Sequence, residues 1–184
     1  LEGFYYKPRI DRELLMAHKE GLIVLSGCAG GEVAEHIRSG NMAEAEQVVR
    51  WYQEVLGADH YFLELQDHEH QWPVQKQIND AKRELAAKTG VGMVVTADSH
   101  YCNPEDREAH EILLCVQTGR ELSDGNRMTM DMSLYLTDPK DVYERWKHLP
   151  EVIDNTRLIA ERCDVQLELG KILIPTFPTP DGST

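Results

Sequence analysis

Positive charge is in short supply along this 184-residue chain: 19 Lys and Arg stand against 32 Asp and Glu, a formal net charge of −13 at pH 7. A protein whose main task is coating nucleic-acid phosphates needs a basic surface, so that class is excluded for the chain taken alone. A domain of a larger DNA enzyme, with its basic groove elsewhere, is not excluded. Long apolar runs are lacking too: none nears the ~18 residues needed to cross a bilayer, and no charged-then-apolar export signal opens the sequence. Cysteine is sparse, with Cys28, Cys102, Cys115 and Cys163 widely spread and no C-x-x-C pair. A disulfide-stapled secreted scaffold is shorter and richer in cysteine, so reduced thiols and a cytoplasmic location are expected. The G-x-x-x-x-G-K-[ST], G-x-G-x-x-G and G-x-S-x-G motifs are all missing. Gly27-Cys28-Ala29-Gly30-Gly31 has the glycines of a phosphate-cradling loop without its Lys and Ser/Thr. What is present, 41% hydrophobic and 28% charged residues, is the composition of a water-soluble globular domain. The length suits one domain and scarcely two. The sequence opens at Leu1 in an aromatic and basic stretch, which reads as a piece of a longer chain.

The stretch up to Ile10 carries no regular pattern, and Asp11 is a helix N-cap for a short helix through Leu14, Leu15 and His18. Residues 21–28 form an apolar run closed by small residues, the pattern of a strand buried on both faces. From Met42, the spacing of Ala45, Val48, Val49, Tyr52, Val55 and Leu56 is helical and stops at Gly57. A second strand is expected at 61–65 and a long helix at 72–89, with Val74, Ile78, Ala81 and Leu85 on one side. A third strand at 92–97 runs into Asp98-Ser99-His100. This alternation builds parallel sheets and α/β barrels. In such folds the C-terminal ends of the strands share one rim, where active sites assemble. Polar and small residues gather there: Ser26 to Cys28, Gln66 to His68 and Asp98 to His100.

Beyond the third strand, Asn103-Pro104-Glu105-Asp106 starts a helix expected to run through Ile112, Leu113 and Val116 to Gly119. A turn at Ser123-Asp124-Gly125-Asn126 leads to an expected strand at 133–136. Two helices follow, from Asp138-Pro139 and from Pro150 to about Cys163, the latter with Val152, Thr156, Ile159 and Cys163 on one face. The segment 171–184, with Pro175, Pro178 and Pro180, reads as an extended linker.

Asp98 and His100 stand two apart on extended chain, so carboxylate and imidazole project together, a pairing suited to Zn, Mn or Fe. The alternative is a capping Asp beside a surface His. Cys28, at the end of another strand, would reach the same rim as a thiolate or remain a buried structural cysteine. His68-x-His70 is an i, i+2 histidine pair, either a metal-ligating couple or, as its polar surroundings favour for His70 in particular, a solvated loop; Asp67 and His68 are candidate rim residues without a ligand role. Cys115 and Cys163 are assigned to the core, and Cys102 follows the triplet too closely to share its direction. Lys7, Arg9, Tyr5 and Tyr6 form either a basic-aromatic patch for a phosphate chain or a packed terminal segment.

Five runs carry a resemblance: Gly3-Phe4-Tyr5-Tyr6-Lys7-Pro8-Arg9-Ile10-Asp11, Leu25-Ser26-Gly27-Cys28, Phe62-Leu63-Glu64-Leu65-Gln66-Asp67-His68, Asp98-Ser99-His100-Tyr101, and Glu108 through Gly119. With Asn155-Thr156 through Cys163 and Phe177-Pro178, they resemble the family of bacterial replicative DNA polymerase III alpha subunits, in order along the whole chain. The likeness falls on the polymerase-and-histidinol-phosphatase (PHP) domain, with 1–170 as its C-terminal portion and 171–184 as the linker towards the polymerase palm. The resemblance implies an α/β fold, part of a distorted (βα)7 TIM-like barrel with a C-terminal helical extension. It also implies a rim cluster of up to three divalent metal ions (Zn, Mn or Mg) and 3′–5′ proofreading exonuclease activity in members that keep every ligand.

Carried over to this chain, Cys28, Asp98 and His100 match metal-ligand positions. The family's opening H-x-H motif and further ligands would precede Leu1, and the polymerase aspartates would follow Thr184. The segment alone is therefore expected to be inactive and to hold metal weakly. DNA and other polymerase III holoenzyme subunits are the partners implied. Open strand edges of a partial barrel favour self-association. A structural buttress and a free-standing phosphatase are the competing readings; the stretch after His100 and the proline-rich tail argue against the latter.

Overall fold

The computed structural model describes residues 4–171, so the proline-rich linker expected at 171–184 lies, apart from Lys171, outside the described residues. Where no regular structure was expected, β1 (Phe4–Tyr5) and β2 (Lys7–Pro8) pair antiparallel about Tyr6, whose φ is +58°. Helix α1 (Arg12–Ala17) is capped by the Asp11 carboxylate, which accepts from the Leu14 N–H at 2.8 Å. Then come β3 (Val24–Leu25), α2 (Glu32–Arg38), α3 (Met42–Leu56) and β4 (Tyr61–Gln66). A 3-10 turn (Asp67–His70) leads into α4 (Pro73–Thr89), followed by β5 (Gly92–Thr96). Helices α5 (Arg107–Thr118), α6 (Pro139–Trp146) and α7 (Pro150–Arg162) complete the order.

Strands β3, β4 and β5 form a parallel sheet in that order, with Leu25 opposite Phe62 and Leu65 opposite Val95. Helices flank it, an arrangement consistent with part of a distorted barrel. The central strand is buried on both faces, as parallel sheets require. Tyr61, Leu63 and Leu65 pack with Val49, Leu85, Trp146 and Val152 in one core, each large side chain contributing about 1.5–3 kcal/mol by leaving water.

β3 is far shorter than the 21–28 run suggests, because Gly27 turns the chain at φ +73°. The central strand therefore outruns its neighbour. Val24 N–H and Ser26 N–H still reach the His60 and Phe62 carbonyls, at 2.8 and 3.0 Å. Past that point, β4 groups on this edge need other partners, since unpaired buried backbone is costly. The Ser26 hydroxyl accepts from Glu64 N–H at 2.9 Å, Lys82 Nζ donates to the Glu64 carbonyl at 2.8 Å, and Asn79 Nδ2 donates to the Gln66 carbonyl at 3.0 Å. At the other margin, α7 covers β5: Asn155 Nδ2 donates to the Met93 carbonyl at 2.7 Å and Thr156 Oγ1 to the Val95 carbonyl at 2.9 Å.

Two expectations change, and α5 adds an exposed apolar face. The strand expected at 133–136 is a single parallel bridge between Tyr101 and Tyr135. Ile112, Leu113 and Val116 of α5 are 43%, 64% and 74% exposed, and Cys115 alone of that helix is buried. Cys163, assigned above to the core, is exposed because it is the C-cap of α7, where the backbone turns extended and leaves the helical register.

Candidate metal centre at the strand ends

The parallel order brings the C-terminal ends of β3, β4 and β5 to one rim. At the first end, the turn after Ser26 is wound tightly: Gly31 N–H donates to the Cys28 carbonyl at 2.9 Å. A Cβ on Gly31 would sit 2.4 Å from the Ser26 carbonyl, so only glycine fits. The Cys28 side chain is exposed on this turn, and Gly30 N–H approaches its Sγ at 3.5 Å.

At the second end, Asp67 is buried and fully engaged. Arg145 Nε and Nη2 donate to its two oxygens at 2.9 and 2.5 Å, and Trp146 Nε1 donates at 2.6 Å. The hydrogen bond to this carboxylate holds the Arg145 guanidinium above its ordinary pKa. His68 beside it is 4% exposed. Burial lowers its pKa, opposed by the charge of Asp98, then by Gln75 and by Asp67. Neither His68 Nδ1 nor Gln75 Oε1 has a partner in hydrogen-bond geometry. Asp67, His68, Ala97, Tyr135 and Arg145 line a polar cavity of about 20 Å³, room for one water.

At the third end, Thr96 Oγ1 donates to Glu64 Oε1 at 2.6 Å, tying β5 to β4. Asp98 follows with φ +50°, a left-handed conformation uncommon for a residue with a side chain. Such strain is characteristic of functional sites. His100 is held by its N–H to the Leu134 carbonyl at 2.7 Å, and its Nδ1 lies 2.7 Å from the Asp98 carbonyl. A carbonyl only accepts, so the neutral ring carries its proton on Nδ1 and presents the lone pair of Nε2. His110 packs edge-on against this ring, with centroids 5.6 Å apart.

Asp98 and His100 thus lie side by side, with the carboxylate 3.9 Å from the protonated Nδ1 and the Nε2 lone pair on the other side of the ring. The chemistry of the donors, one carboxylate and one neutral imidazole, fits Zn, Mn or another borderline divalent ion. Cys28 belongs to the same rim, but β4 separates β3 from β5. Two strand spacings put those ends ~10 Å apart at the backbone. Among the described residues, no three His, Cys, Asp or Glu side chains are gathered closely enough to hold a metal ion. Asp67 and His68 stand between the two parts, one locked in an ion pair and the other enclosed.

Arg145, Trp146, Lys82 and His110 shape the rim and were not singled out from sequence. Lys82 alone left a readable trace: Gln75, Asn79 and Lys82 recur at helical spacing with Ile78 and Leu85, polar groups on a stripe that is otherwise apolar.

Comparison with known proteins bears on this rim. The family model described as the PHP domain matches residues 1–68, a stretch that includes Cys28 and stops before Asp98. DNA polymerase III subunit alpha of Deinococcus radiodurans is 42% identical over 98% of the chain, and that of Thermus aquaticus 41% identical over 100%. The Treponema pallidum protein of the same name is 40% identical over 98%. The chain spans only 14% of the first of these and 15% of the other two.

Proposed function

Because the chain belongs to the family of DNA polymerase III alpha subunits, we propose that it is a PHP-domain segment of the catalytic subunit of a bacterial replicative polymerase. In that reading 1–170 is the C-terminal portion of the PHP domain and 171–184 leads to the polymerase palm. The parent protein is a cytoplasmic nucleotidyltransferase that works on DNA with other holoenzyme subunits. The PHP portion is a metal-dependent phosphoesterase with 3′–5′ proofreading exonuclease activity, and the segment by itself is inactive.

The observation that carries the metal assignment is Asp98. A strained, half-buried carboxylate stands at a parallel strand end, and the imidazole two residues on has its Nδ1 proton held by the Asp98 carbonyl, which leaves Nε2 free to ligate. Cys28, Asp98 and His100 would hold divalent cations, which supply Lewis acidity and a nucleophilic water when bound. His100 contributes the Nε2 lone pair, the Asp98 carboxylate supplies negative charge, and the Cys28 thiolate serves the far side of the rim. Asp67 anchors the rim between them through Arg145 and Trp146 rather than by ligation. A second reading is a structural PHP module buttressing the polymerase, supported by the scaffold role of Asp67, which Arg145 and Trp146 hold in place at the rim.

Equilibrium dialysis with Zn²⁺ and Mn²⁺ followed by elemental analysis separates the two. Asp98→Asn and His100→Ala are each expected to weaken binding at least tenfold. Unchanged metal content in both variants would leave only the buttressing role.

A further inference from the structure

We propose that Lys82 is a positioning residue for the Cys28 thiol, its ammonium pinning the turn at 27–31 to the end of the central strand. The inference rests on the reading of Cys28 as a metal ligand. Lys82 has no solvent-exposed surface. Its Nζ donates to the Glu64 carbonyl at 2.8 Å and to the Gly27 carbonyl at 3.0 Å, bridging β4 and the residue just before Cys28. The Glu64 carboxylate is turned instead towards Thr96. Enclosing an ammonium without a direct carboxylate partner is costly. The strand edge by itself does not need that charge, since the neutral amide of Asn79 satisfies the Gln66 carbonyl on the same helix face.

What distinguishes Lys82 is its second bond, to the turn. Gly27 has φ +73° and Gly31 meets the Ser26 carbonyl with no room for a Cβ, so the loop is closed from two sides. Lys82 closes it from the third.

The experiment is alkylation of Cys28 by iodoacetamide in the intact chain, read by mass spectrometry across a Zn²⁺ titration. Circular dichroism and urea unfolding are recorded alongside. In the wild type, Zn²⁺ protects Cys28. Lys82→Met is expected to raise the Zn²⁺ concentration for half-protection at least tenfold. Asn79→Leu, which removes a strand-edge bond but touches no part of the turn, is expected to lose stability with the zinc midpoint unchanged. Equal midpoints in folded Lys82→Met and wild type overturn the inference, as does an Asn79→Leu midpoint raised as far as that of Lys82→Met. If Lys82→Met does not fold, Lys82→Gln is read the same way. Failure of Zn²⁺ to protect wild-type Cys28 at all refutes instead the reading of Cys28 as a ligand.

Discussion

Single buried charges set much of the behaviour of this molecule. Burial lowers the Lys82 pKa from 10.5 to about 8. An unfolded chain keeps that proton up to about pH 10.5, while the folded chain releases it from about 8. The unfolded state therefore binds more protons across this window, and stability rises with pH there. Tyr61 and Tyr52 act oppositely: burial raises both above the ordinary value of 10, so their contribution is complete below pH 10 and lost above it. The urea midpoint is expected to climb from pH 8 to 10 and fall beyond, and Lys82→Met is expected to remove the climb. A flat wild-type midpoint over that range would contradict the assignment. Asp67 shows the other way to enclose a charge. Two bonds from Arg145 and one from Trp146 engage both oxygens of one carboxylate, which therefore belongs to the scaffold of the rim.

Among the elements, α7 has the most specific task, because its side chains take the place of a strand against β5. Thr156→Val keeps the shape and removes the donor to the Val95 carbonyl, and Asn155→Leu does the same for Met93. Each is expected to cost about 1–2 kcal/mol in urea unfolding, the usual result of orphaning a buried carbonyl. An effect below the error of the measurement in both would show that water replaces the helix there. The sequence put Thr156 on one face with Val152, but neither its bond to β5 nor any role for Asn155 was legible there. Helices α3 and α4 and strands β4 and β5 were legible, because their apolar spacing is unbroken over many residues. α2 was missed: seven residues with only Val33 and Ala34 buried carry too little periodicity. The exposed face of α5 marks a different limit, since an apolar stripe announces a helix but not what covers it. Asp98 and His100 could be read because strand and motif adjoin, whereas Arg145 and Trp146 reach Asp67 from 78 and 79 residues away.

For the whole molecule, the sheet and the charge pull in opposite directions. A net charge of −13 resists association. Yet among the described residues β3 pairs only with β4, leaving the far side of β3 without a strand partner. Sedimentation velocity is expected to show a monomer–dimer equilibrium that shifts to dimer as salt screens the charge. A single monomeric species at every concentration and ionic strength would exclude it. Two copies meeting through β3 about a twofold axis would each spend the row of hydrogen-bonding groups that this sheet leaves open among the described residues. Their outer flanks, plugged by Asn155 and Thr156, then offer a newcomer no template. Growth along the sheet ends at two, and the same helix that finishes the fold keeps it from becoming the seed of a fibre.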